Sequence, residues 1–342
     1  MKRHFLILLT LFCFGLGTIA EAAANGVVNV YSARKEALIK PLLDRFTAET
    51  GIQARLVTAD AGALLERLRT EGRNSPADVF ITVDAGRLHK AEEAEVLQPV
   101  KSAALEAAVP ASYRDPRGLW FGLSLRARPI MYAPDRVASD ELSTYEALAD
   151  PKWRGRICIR SSSNIYNQSL VASMIAAHGE AKTLEWLKGF VGNFARKPAG
   201  GDRDQISAAA AGECDVAIAN TYYFARMRAG KIGSVEREAA EKIAVFWPNQ
   251  DGRGAHVNVS GAGVTKAAPN RDNAIRLLEF LVTDESQAWY AEVNNEYPVK
   301  PGVPWSETVR EMGPFKADDL NLGVLGENNA LAVKLMDQAG WQ

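Results

Sequence analysis

The sequence predicts an α/β protein of two lobes joined by two extended crossovers, with a helical segment at its C-terminal end. Three observations carry that expectation. Short apolar strand-like runs alternate with helix-periodic segments over the first hundred residues and again after residue 150. Two long extended runs, over residues 120–132 and 245–264, interrupt the alternation. Without its leader, the chain is roughly twice as long as a typical single domain.

The N-terminus reads as an address. Lys2 and Arg3 form a positive n-region, residues 5–16 an apolar h-region, and Ala20-Glu21-Ala22 an A-x-A cleavage pattern. Residues 1–24 are therefore expected to be a Sec-type signal peptide, cleaved to leave the mature chain in the periplasm; an uncleaved anchor is the other reading. Leu11 and Phe12, before Cys13, are not the small residues that lipoprotein processing needs. The formal net charge is −1 with both signs interspersed, which gives no footprint for a nucleic-acid partner. Two cysteines remain after the leader, Cys158 and Cys214. In an oxidising compartment such a pair is more naturally a disulfide than a metal site, with two separate buried thiols as the alternative. His4, His89, His178 and His256 are scattered, which argues against zinc.

Val27 to Tyr31 begins the first lobe as a strand. Leu38, Leu42, Leu43 and Phe46 then recur at helical spacing, with Gly51 as the stop. An alternating strand follows over residues 52–57, a helix through Leu64, Leu65 and Leu68 to Gly72, a strand at Val79-Phe80-Ile81-Thr82-Val83, and a helix over 88–96. This rhythm predicts a parallel sheet with right-handed crossovers. The run 120–132 leads into a second lobe with a strand at Ile157, helices over 169–178 and 181–191, and a strand at Val216. The run 245–264 returns, and a helix over 270–282 completes the first lobe. The expected division is a first lobe of 25–125 plus about 250–290, a second of about 126–249, and a helical tail of about 291–342 packed across both. Two α/β lobes linked by two crossovers is the hinged architecture of solute-binding proteins, with ligand between the lobes.

Five segments carry a resemblance. Val30-Tyr31-Ser32-Ala33-Arg34, Asn74-Ser75-Pro76-Ala77-Asp78-Val79, Trp120-Phe121-Gly122, Arg160-Ser161-Ser162-Ser163-Asn164-Ile165-Tyr166-Asn167 and Ala219-Asn220-Thr221-Tyr222-Tyr223 resemble periplasmic ferric-ion-binding proteins, in order along nearly the whole mature chain. The resemblance implies iron ligation by Tyr222, Tyr223 and Tyr166. It also implies delivery of Fe³⁺ as cargo to an inner-membrane ABC permease and its ATPase, by a carrier expected to be a monomer.

The chemistry agrees. Ferric iron is small, hard and highly charged, and prefers anionic oxygen ligands. A phenol has a pKa of about 10 in water, and a trivalent cation beside it favours phenolate. Consecutive strand residues face opposite ways, so Tyr222 and Tyr223 can meet one ion only if the strand ends and the backbone turns. A lone tyrosine is more often a half-buried core residue, which is the expectation for Tyr31 and Tyr132.

Three phenolates leave ferric coordination incomplete. In some branches of the family an anion such as carbonate completes it, held by arginine; in others the opening loop supplies His or Tyr. Here Lys35 and Glu36 follow Arg34, with no His or Tyr. That leaves Arg34 as an anion clamp, Glu36 as a candidate carboxylate ligand, and Lys35 as an outer group. Arg126 and Arg226 are further candidates for holding the anion through bidentate hydrogen bonds, or for ordinary salt bridges. Asp84 falls where some relatives use a carboxylate, and equally where a helix N-cap is wanted. No nucleophile elbow, zincin helix or phosphate loop appears, so no enzyme activity is expected. Carriers of thiamine, polyamines or phosphonates share the architecture, and a secreted hydrolase is the reading from another class.

Overall fold

The computed structural model describes residues 26–342. The expected signal peptide and Cys13 lie outside the described residues. The strands are β1 (Val27–Ser32), β2 (Gln53–Thr58), β3 (Val79–Val83), β4 (Leu97–Gln98) and β5 (Phe121–Ala127). They continue with β6 (Ile130–Tyr132), β7 (Ile157–Cys158), β8 (Val216–Ile218), β9 (Ala244–Phe246) and β10 (Val257–Thr265).

The first lobe is built on the sheet β2-β1-β3-β10-β4, with β5 also paired to β10. β1 runs parallel to β2 and β3, joined by the helices Lys40–Thr50 and Ala61–Glu71. Val28, Val30, Val79 and Ile81 are fully buried there; each such side chain contributes roughly 1.5–3 kcal/mol. The alternation predicts a parallel sheet throughout, but β10 runs antiparallel to β3, β4 and β5. It enters from the second lobe rather than from a helix on the same sheet. Gly261 and Gly263 make the close approach possible: a Cβ on either would lie 2.7 Å and 2.3 Å from the carbonyl oxygens of Phe121 and Leu119. The second lobe holds the sheet β7-β8-β6-β9, parallel only between β7 and β8.

The run 120–132 crosses between sheets at Arg128-Pro129, between β5 and β6. Pro129 has no N–H to continue a ladder. The run 245–264 is not one extended crossover. β9 ends in the second sheet, a turn passes through Asn249 (φ 60°), and β10 begins in the first. The two crossings are tied together. Arg128 N–H donates to the His256 carbonyl (3.0 Å), and the Tyr145 hydroxyl donates to the Arg128 carbonyl (2.8 Å) while accepting from His256 N–H (3.1 Å).

The two helices expected over 169–191 are present within Ile165–Gly192, separated at Gly179, whose backbone is non-helical (φ 80°). The tail is less continuous than expected: helices Glu307–Arg310, Gly323–Glu327 and Asn329–Gln338 alternate with irregular backbone. Gly323–Glu327 packs on both Ala85–Glu93 of the first lobe and Ile165–Gly192 of the second. Cys158 and Cys214 are bonded (S–S 2.06 Å, Cα–Cα 5.9 Å), stapling β7 to the segment before β8.

Candidate metal centre

Tyr166, Tyr222 and Tyr223 come together at the N-termini of two helices. β8 ends at Ile218, Asn220 takes extended N-cap geometry, and the helix Thr221–Arg228 starts at once. The turn needed between the paired tyrosines is thus the first turn of a helix. Their rings lie 4.3 Å apart, tilted by 39°. Tyr166 is the second residue of Ile165–Gly192, where the Asn164 side chain caps the helix by accepting from Tyr166 N–H (3.2 Å). Its hydroxyl is within hydrogen-bonding reach of Tyr222. Both helices aim the positive ends of their dipoles at the phenols, which favours phenolate there.

Burial works the other way. It pushes the Tyr166 phenol up to about 12, with the negative charge of an ionised Tyr223 adding to the rise; the Tyr222 hydrogen bond and Arg126 pull it down. Tyr222, 7 % exposed, is raised as well, by burial first and then by Tyr166 and Tyr223. At neutral pH these two are phenols awaiting a cation that can displace their protons. Among the described residues, no group of three or more His, Cys, Asp or Glu side chains is placed to hold a metal ion.

Arginines surround the cluster. The guanidinium carbon of Arg126 is 5.9 Å from the Tyr222 ring centre and that of Arg226 5.3 Å; those of Arg128 and Arg160 are 6.0 and 5.7 Å from Tyr166. Arg34 adds its charge near Tyr222. Two carboxylates absent from the sequence reading neutralise part of this charge. Glu296 accepts from Arg34 (2.8 Å), Arg126 (3.1 Å) and the Ser124 hydroxyl (2.6 Å). Burial disfavours its charge, but Arg34 and Arg126 outweigh that and hold it down at about 2. It reaches them because Tyr297 pairs with Leu125 by backbone hydrogen bonds of 2.7 and 2.8 Å. Asp202 accepts from Arg128 (3.0 Å) and Arg160 (3.3 Å). Asp202 is the first residue of the helix Asp202–Ala211. The available signal for both carboxylates was the number of arginines near the motif, since buried guanidiniums need partners.

The other candidates are distributed as follows. Arg34 is committed to Glu296, and Arg226 donates to the Asn294 carbonyl (3.0 Å). Arg126 also donates to Ser260, yet its Nε and Nη1 are buried without a partner. Glu36 is exposed on the short turn Glu36–Leu38, its carboxylate makes no hydrogen bond or ion pair among the described residues, and Lys35 is exposed too. Asp84 takes the helix-cap role the sequence offered for it. It is fully buried with a left-handed φ of 82°, caps Ala85–Glu93 through Gly86 N–H, and accepts from Asn258 (2.9 Å). Its Oδ1 also accepts from the Ser169 hydroxyl of the second lobe (2.7 Å), a direct link between lobes. Tyr31 is buried with its hydroxyl donating to Glu71 (3.0 Å), and Tyr132 is half-buried on β6.

This architecture has close counterparts. A family model described as bacterial extracellular solute-binding protein matches residues 74–315. The chain belongs to that family. It is 53 % identical to iron uptake protein A1 of Synechocystis over 92 % of this chain and 87 % of that protein. Among solved structures, the Trichodesmium IdiA (FutA) protein in complex with iron and citrate ligands superposes with a TM-score of 0.90 at 51 % identity, covering 93 % of this chain and all of that one. The Mannheimia haemolytica ferric iron-binding protein A, in an open conformation, gives 0.87 at 41 % identity, with coverage of 92 % and 99 %. This family member thus has the two-lobed fold of ferric-binding proteins.

Proposed function

We propose that this protein captures ferric iron between its lobes through Tyr166, Tyr222 and Tyr223 and delivers it to an ABC permease, working as a periplasmic monomer once residues 1–24 are removed. The convergence of three phenols on two helix N-termini carries the reading, because three phenolates balance the charge of Fe³⁺ with the hard oxygen donors it prefers. The names of the relatives, which are iron uptake and ferric iron-binding proteins, support the same cargo. Among the described residues no helix is long and apolar enough to cross a membrane. The role is binding and release, without turnover.

Four arginines share two buried carboxylates here and a fifth, Arg226, has no carboxylate partner among the described residues, so iron arrives in a field that is positive until anions enter. The phenolates supply three negative charges. A small anion, carbonate or a chelating carboxylate, completes the shell, with the unpartnered Nε and Nη1 of Arg126 as its donors. Each phenol must lose its proton to ligate, so affinity falls as pH falls, by about tenfold per pH unit for every proton released.

The test is a titration of metal-stripped mature protein with ferric citrate, with and without bicarbonate. A phenolate-to-iron charge-transfer band saturating at one iron per chain is expected. No band and no thermal stabilisation by iron would overturn the reading.

A further inference from the structure

The first crossover carries an arginine that reaches both tyrosine segments. Arg128 is 1 % exposed. Its Nη2 donates to Asn167 Oδ1 (2.7 Å), and its Nη1 donates to Asn220 Oδ1 and to Asp202 Oδ2 (3.0 Å each). The two asparagine contacts each end beside a tyrosine segment. Asn167 follows Tyr166, and its amide donates to the carbonyls of Arg160 (2.9 Å) and Ser161 (3.1 Å), shaping the serine loop. Asn220 caps the helix of Tyr222 and Tyr223, donates its N–H to Asp202 (2.8 Å), and brings its side-chain amide to 3.4 Å from the Tyr222 hydroxyl.

The backbone of Arg128 belongs to the hinge. Its N–H and carbonyl are engaged by His256 of the returning chain and by Tyr145, between the last residue of β5 and the first of β6. One residue therefore joins the point where the chain changes lobes to both helix ends that present phenols. Charge balance alone does not call for it, since Arg160 already pairs with Asp202 (3.3 Å). The planar fork does: two acceptors on separate segments are held at a fixed angle, which a lysine point charge cannot reproduce.

We propose that Arg128 is a positioning residue that sets the spacing of Tyr166 against Tyr222 and Tyr223 and transmits hinge movement to that spacing. As a permanent cation it does not touch the metal. It acts through Asn167 and Asn220, much as outer-sphere partners orient the ligands of other metal sites.

The proposal rests on the ferric reading, and the unsubstituted protein separates the two: no ferric band there would reject the iron site itself. Given that band, the test compares Arg128→Lys with the double variant Arg128→Met/Asp202→Asn, which removes the fully buried pair together and leaves only the part-exposed Arg160 without its carboxylate. In each variant that keeps native far-ultraviolet circular dichroism, the charge-transfer maximum should move. Iron release to a competing chelator should also become about 10–100-fold faster. A purely structural role would lower thermal stability but leave the band in place. An unshifted maximum with release within about twofold of the unsubstituted protein, in whichever variant folds, overturns the proposal.

Discussion

The two faces of the cleft offer a metal ion different things. The second lobe brings phenols, Tyr166, Tyr222 and Tyr223, each in the first turn of a helix and braced by Arg128, Arg160 and Asp202. The first lobe brings Arg34 on the loop after β1 and Arg126 on β5, bridged by Glu296 and screened by Ser124. Its exposed acid, Glu36, has no hydrogen bond or ion pair among the described residues, and its buried acid, Asp84, caps a helix and accepts from Ser169. On this account one lobe grips the cation and the other adjusts its charge.

Substitutions on each lobe would test that contrast. The largest effect is expected from Tyr222→Phe or Tyr223→Phe, each abolishing or bleaching the ferric band. Each should also cost more affinity than the roughly 10–100-fold typical of residues one step removed from a metal, as competitive chelator titration would show. On the first-lobe side, Glu296→Gln should leave ferric ligation in place but strand two buried guanidiniums, a loss of about 3–5 kcal/mol in urea unfolding. The same carboxylate predicts acid behaviour. Its folded pKa of about 2 lies below the unfolded value, so its stabilisation is present above about pH 4.5 and fades as pH falls through about 2. Unfolding free energies measured across that window should fall, and the fall should be smaller in Glu296→Gln. Opening the 56-residue disulfide loop by Cys158→Ser/Cys214→Ser should cost about 2–4 kcal/mol, all of it in the second lobe. Glu36→Gln should change neither the ferric band nor stability by more than about 0.5 kcal/mol. A loss of iron binding there would restore the first lobe as a ligand donor.

Much of the fold was legible because its signals are local. The stop at Gly51, the helix through Leu64 and Leu68, and the strand Val79–Val83 follow from periodicity and from residues with one preferred conformation. The antiparallel entry of β10 was not legible, since it depends on a second lobe that the chain visits first. The tyrosine trio was visible as motif and chemistry. Its counter-charges were not: Glu296 is 170 residues from Arg126 in sequence and is brought there by the pairing of Tyr297 with Leu125. Glu36 shows that closeness in sequence does not fix shared burial. It is close to Arg34 in sequence, but the backbone turns between them, burying Arg34 at 4 % exposure and leaving Glu36 in solvent.

The most direct test is an anomalous-difference map at the iron edge from crystals of the iron-loaded protein. The account predicts one peak per chain within direct ligation distance of the hydroxyl oxygens of Tyr166, Tyr222 and Tyr223, with no first-lobe carboxylate in contact. A peak against Asp84 or Glu36, or one remote from the three tyrosines, would contradict it.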